Sequence, residues 1–172
     1  MFYKLTVTDH IRIPPEKFSY DLEEAVLRQV KEEYEGHISK NLGNVIDILD
    51  VKGIGDGTII PGDGATFYES TFTVLSFIPE QKEVVYGIVR DIADFGAFLS
   101  IGPTQGMVHI SQTMDDFVSF SKEKVLTGKE SEQTLKVGDH CKARIISISY
   151  KNPNNPKTGM TMRQETLGKI EK

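Results

Sequence analysis

Tyr3, Leu5, Val7, Ile11 and Ile13 occupy alternate positions near the start of the chain, with Lys4, Thr6, Thr8 and Arg12 between them. That period of two predicts a half-buried strand, which Pro14-Pro15 ends. Leu22, Ala25, Val26, Val30 and Tyr34 then recur at the spacing of one helical face, with Ser19 or Asp21 placed to cap the start and Gly36 to mark the stop. The opposite face carries Glu23, Glu24, Glu32, Glu33 and Glu35 and reads as solvated. Val45, Ile46, Ile48, Leu49 and Val51 predict a second strand, Gly55-Asp56-Gly57 a turn, and Thr58-Ile59-Ile60 a short strand. Pro61-Gly62 suits the two central positions of a type II turn. Ala65 to Ile78 predicts a long strand, apolar or aromatic on both faces. Strand, helix and three strands make a small α+β domain over about residues 1–80, closing at Pro79.

From Glu83 the pattern changes to short strands: Val84–Val89, Phe95–Ile101, Gly106–Ile110, Lys142–Tyr150 and Met160–Met162. Residues 112–135 are polar with some helical character and read as an insertion, and Asn152-Pro153-Asn154-Asn155-Pro156 as a loop. Five strands with one insertion predict an all-β OB-fold barrel over residues 81–172.

The formal net charge is −5, which argues against nucleic-acid binding through bulk charge. Its distribution alters that picture. Residues 1–80 carry 7 basic against 14 acidic side chains, whereas from Lys136 onward the count is 8 against 3. An acidic half suits a protein partner and a basic stretch suits phosphate. Cys141 is the single cysteine, which excludes an internal disulfide framework and fits a reducing compartment. No apolar run reaches the length of a membrane span, and Met1-Phe2-Tyr3-Lys4 does not open a secretory signal, so a cytoplasmic protein is expected.

Catalytic chemistry finds little support. The glycines at 53, 55, 57, 62 and 64 precede strands rather than opening a helix, so tight turns explain them better than phosphate binding does. His10, His37, His109 and His140 are scattered without metal-ligand spacing. Asp115-Asp116 and Asp91/Asp94 read as solvated acids. No cofactor, metal site or catalytic set is implied. A single nucleic-acid strand instead needs flat π faces for bases and cations for phosphates. Phe95, Phe98 and His109 are candidates for the faces, and Arg90, Lys142 and Arg144 for the charge. Residues three apart on a regular strand point to opposite faces, so Phe95 and Phe98 share a surface only if the chain bulges, with Gly96 the expected place.

Tyr86-Gly87-Ile88-Val89, Asp94-Phe95-Gly96-Ala97-Phe98 and Gly106-Met107-Val108-His109-Ile110-Ser111 resemble the RNA-binding domain repeated in ribosomal protein S-one. Lys136-Val137-Gly138-Asp139 and Lys142-Ala143-Arg144-Ile145 look like its fourth-strand entry. In that family two aromatics and a histidine at the places of Phe95, Phe98 and His109 line the RNA face. The domain occurs in translation, RNA decay and transcription proteins, so a free RNA-binding factor is the alternative that the barrel alone implies. The first half discriminates. Leu42-Gly43-Asn44-Val45-Ile46 and Gly62-Asp63-Gly64-Ala65-Thr66-Phe67-Tyr68-Glu69 resemble the tip domain of the E-prime family of archaeal RNA polymerase subunits, counterparts of the eukaryotic stalk protein. Met114-Asp115-Asp116-Phe117 and Met162-Arg163-Gln164 also match it. The resemblance implies a non-catalytic component of the polymerase stalk. It would form a heterodimer with the small F-type RNA polymerase protein, dock to the polymerase core and contact emerging single-stranded RNA. It makes Gly55, Asp56, Gly57, Pro61, Gly62, Asp63 and Gly64 the candidate core contacts.

Overall fold

The computed structural model describes residues 1–121, 123–152 and 156–170. The chain divides into two compact units: Phe2–Ile78, and Pro79–Lys172 together with Met1. Most of the loop expected at Asn152–Pro156 lies outside the described residues.

In the first unit, β1 (Phe2–Ile13) is followed by α1 (Leu22–Tyr34), β2 (Ile38–Ser39), β3 (Gly43–Ile59) and β4 (Thr66–Phe77). The sheet is antiparallel in the order β1-β4-β3-β2. Ala25, Val26 and Val30 of α1 pack with Ile11, Ile13, Val45, Ile48, Phe72 and Val74 of the sheet in one core. Asp21 is the N-cap of α1 but makes no side-chain cap hydrogen bond. Leu22, expected on the buried face, is exposed because it stands at the first helical position.

β3 departs from expectation. Gly55-Asp56-Gly57 is no turn; it lies within one 17-residue strand that runs on through Thr58 and Ile59. Four register shifts against β4 fall at Val45/Asp47, Ile48/Asp50, Val51/Gly53 and Ile54/Gly57. Each inserts residues into β3 that β4 does not match, so inward positions recur every third residue instead of every second. Val45, Ile48, Val51 and Ile54 all reach the core this way. On β4 the period stays at two, and Ser70, Phe72, Val74 and Ser76 are all fully buried. Ser76 Oγ is satisfied by the carbonyls of Leu42 and Asn44, as a buried hydroxyl requires.

The second unit contains β5 (Val84–Ala93), β6 (Gly96–Ser100), β7 (Gln105–His109), β8 (Val118–Ser121), β9 (Val125–Gly128), β10 (Thr134–Lys136), β11 (His140–Ser149), β12 (Lys157–Thr161) and β13 (Gly168–Lys169). β5, β6, β7, β12 and β11 close on themselves, with β7–β12 parallel and the other pairs antiparallel. This is a five-stranded OB-type barrel, filled by Val89, Ile92, Ala97, Leu99, Val108, Ala143, Ile145 and Met160. Among the described residues the expected helical character of 112–135 is not found beyond Gln112, the last residue of a 3-10 turn at Ile110–Gln112. The insertion is instead a three-stranded sheet, β10-β9-β8. Its cross-strand neighbours Leu126 and Leu135 are fully buried, and that pairing across strands outweighs the polar composition.

Candidate nucleic-acid interface

Two residues, Asp94 and Phe95, turn the chain between β5 and β6, and Ala93 pairs directly with Gly96. Phe95 therefore stands in the turn, released from strand parity, while Phe98 follows on β6. The two rings meet edge to face, with centroids 5.9 Å apart and an interplanar angle of 89°. Phe95 is 48% exposed and Phe98 half-buried, so a base has access to the pair. The expectation that both rings share one surface holds, but the bulge is elsewhere. It lies on β5 between Val89 and Asp91. Before it Val85, Gly87 and Val89 point inward, and after it Ile92 does, so Arg90 and Asp91 both face outward.

Gly96 has a different task. A Cβ there would stand 2.2 Å from the carbonyl oxygen of Val108, so only glycine lets β6 approach β7 this closely. Gly96 pairs with His109 and Phe98 with Met107, which puts the imidazole on the same outward row as the ring of Phe98. Nδ1 of His109 accepts from the Ser111 amide at 3.3 Å and lies 2.9 Å from Ser111 Oγ. Those contacts leave Nε2 to carry the proton of the neutral ring and fix the ring's orientation.

Asp91 stands opposite Phe98, and Asp94 is exposed in the turn beside Phe95. Lys124, from the β8–β9 turn of the insertion, donates to Asp91 at 2.7 Å and holds its carboxyl below the usual carboxylate range. The pair cancels a charge that would repel phosphate beside the aromatic hairpin. The Arg90 side chain has no hydrogen bond or ion pair among the described residues.

Lys142 and Arg144 do not join that cluster. They pair with Tyr86 and Val84, the far end of β5. Four residues of strand separate Tyr86 from Arg90, about 13 Å. Arg144 is half-buried, and its Nε is enclosed without a hydrogen-bond partner among the described residues, which makes it a poorer phosphate ligand than Lys142.

In the first unit the β3–β4 connection is the expected type II turn: Gly62 has φ +93° and the Asp63 amide donates to the Ile60 carbonyl at 3.0 Å. Arg12 grips the Asp63 carboxylate with two bonds, Nε to Oδ2 at 3.0 Å and Nη2 to Oδ1 at 2.7 Å. The same carboxylate accepts from the Ala65 amide. A turn braced from three directions presents Ile59 and Ile60, 72% and 48% exposed.

The first unit matches, over residues 8–64, the family described as the SHS2 domain found in the N terminus of Rpb7p and Rpc25p. Residues 78–153 match the S1 RNA binding domain. Across its whole length the chain is similar to DNA-directed RNA polymerase subunit Rpo7 of Sulfolobus acidocaldarius, 37% identical over 172 residues, 99% of this chain and 94% of that one. Rpo7 of Saccharolobus shibatae is 36% identical over 173 residues, 99% of this chain and 96% of that one. The chain belongs to the Rpo7 family.

The S1 match in this Rpo7-family chain spans β5 to β11 and so takes in the aromatic hairpin, His109 and the insertion sheet together. DNA-directed RNA polymerase III subunit RPC8 of Saccharomyces cerevisiae is a more distant relative, 30% identical over 114 residues, 66% of this chain and 54% of that one. Several surface residues of the Rpo7-family fold escape sequence reasoning. Ile59 and Ile60 read as ordinary strand residues, and no local signal marks them as exposed. Lys124 reads as part of a polar insertion, since its contact with Asp91 spans 33 residues. Tyr86, 68% exposed, is legible only through parity, as an aromatic out of phase with Val85 and Val89.

Proposed function

We propose that this chain belongs to the stalk of a multisubunit DNA-directed RNA polymerase, and that its barrel holds single-stranded RNA as the transcript emerges. The observation that carries the reading is the hairpin at 93–98. Two rings and an oriented imidazole lie together on one outward surface, with the neighbouring Asp91 neutralised by Lys124, in a chain that is similar over its whole length to Rpo7 proteins. Flat π surfaces accept bases of any sequence, so the barrel binds by stacking with limited preference among bases. The chain supplies no catalytic residue of its own to the nucleotidyltransferase assembly. It works in the reducing cytoplasm, pairs with the small F-type polymerase protein, and docks on the polymerase core through the braced β3–β4 turn. The exposed Ile59 and Ile60 there, with Gly55 to Gly57 in the adjoining bulge and Pro61 to Gly64 at the apex, suit insertion into a cleft.

Native affinity purification of the full-length chain, with identification of its partners, tests this directly. Stoichiometric recovery of one small partner and the polymerase core is expected. Recovery with ribosomal or RNA-decay components and without polymerase overturns the reading.

A further inference from the structure

Tyr86 is a large aromatic left in water at the opposite end of β5 from the aromatic hairpin. Val85, Gly87 and Val89 point into the barrel, so Tyr86, Ile88 and Arg90 form a single outward row along the strand. Lys142 is the cross-strand partner of Tyr86, and its ammonium nitrogen stands 5.4 Å from the ring centroid. This contact engages the ring in a cation–π pair without covering it. Lys142 makes no ion pair with an acid among the described residues. Three other cations of this unit are each held by an acid: Lys124 by Asp91, Arg163 by Asp115 and Lys169 by Asp139. One line along β5 thus joins the Phe95–Phe98 pair, an unpaired guanidinium at Arg90, and an open ring beside an unpaired ammonium. Alternating π faces and free cations are what a single strand requires, one for bases and the other for the backbone.

We infer that Tyr86, backed by Lys142, is a second base-stacking station, and that single-stranded RNA crosses the barrel along β5 from the hairpin to this ring. The inference rests on the RNA-binding reading of the hairpin and adds the path that the strand takes. Arg90 meets the backbone part-way, and Lys142 meets the phosphate next to the second stacked base. The roughly 13 Å between Tyr86 and Arg90 is bridged by the strand itself.

The chain contains no tryptophan, so the emission of a full-length Tyr86→Trp variant reports that position alone. An oligoadenylate of about 16 nucleotides, the upper end of an OB-fold site, is the probe. Its addition is expected to quench the emission. Tyr86→Ala is expected to bind it about tenfold more weakly, within the range of one lost stack, and Tyr86→Phe to restore most of that loss because the ring carries the contact. Lys142→Ala should weaken binding and reduce its dependence on salt. Wild-type affinity in Tyr86→Ala with unquenched Tyr86→Trp, while Phe98→Ala binds poorly, overturns the second station and leaves the hairpin reading intact. Full affinity in both Tyr86→Ala and Phe98→Ala overturns the two together. Emission that responds to purified polymerase core and not to the oligoadenylate makes this a protein contact and equally overturns the inference.

Discussion

Replacing Gly96 by alanine perturbs the geometry on which the proposed RNA face depends. The added Cβ would lie 2.2 Å from the Val108 carbonyl oxygen and 3.1 Å from the Cα of His109, both backbone atoms that no side-chain rotation can move. Contacts of real Cβ atoms essentially never fall below 3.0 Å, so β6 and β7 must part by most of an ångström at this pair. The backbone angle, φ +157°, is also one that L-residues rarely adopt. Overpacking of this kind costs about 1–3 kcal/mol, and the unfavourable dihedral adds about 1 kcal/mol. The barrel transition in urea is therefore expected to move down by about 1–2 M, taking a slope of about 2 kcal/mol per M for a unit of this size. Gly53→Ala, in β3 of the first unit, is the contrast for an uncrowded strand glycine: a Cβ there meets nothing within 4 Å and should leave that unit's own stability within about 0.5 kcal/mol. Since Gly96 is paired with His109, the same change separates the imidazole from the two rings, and RNA affinity should fall even where the variant remains folded. A Gly96→Ala barrel as stable as the native one would refute the close-approach argument.

Two further outcomes follow from the barrel's ionisable groups. Cys141 is fully buried, and burial pushes its thiol up to about 12, so a thiol reagent at neutral pH should modify it only in denaturant; rapid labelling of the native protein would contradict this. Asp91 is held below the ordinary carboxylate value, first by Lys124 and then by the Ile92 amide. A depressed folded value means that its contribution to stability is present above about pH 4 and is lost as pH falls through the lowered midpoint. An NMR titration should place that midpoint below the usual range and see it rise in Lys124→Ala; an unchanged midpoint in the variant would remove the latch between the insertion and the hairpin.

Much of the architecture is legible in the sequence because it follows simple periods. β1 alternates strictly, α1 repeats its apolar face, and the Pro61-Gly62 turn is written in its two residues. β3 defeats that reading because Val45, Ile48, Val51 and Ile54 recur at a period of three, which belongs to neither a regular strand nor a helix. Only the register against β4 shows that repeated bulges turn that spacing into one buried face. The insertion is opaque for a related reason, since Leu126 and Leu135 acquire meaning once β9 and β10 are paired. At the candidate site Phe95, Phe98 and His109 stand as neighbours, because the motif brings two adjacent strands together. The bulge at Arg90 and the separation of Lys142 and Arg144 from the aromatic cluster depend on strand register, which residue types alone do not encode.

The hairpin at 93–98 is, on our proposal, the surface on which this Rpo7-family protein holds RNA. The most direct test is the affinity of the full-length Phe95→Ala/Phe98→Ala variant for a single-stranded RNA of about 16 nucleotides, at two salt concentrations. With the circular dichroism of the native fold retained, affinity is expected to fall by more than about tenfold at both, since a base–aromatic stack is worth about 1–3 kcal/mol. A folded double variant that binds RNA as tightly as the native chain would place the RNA elsewhere and contradict the account.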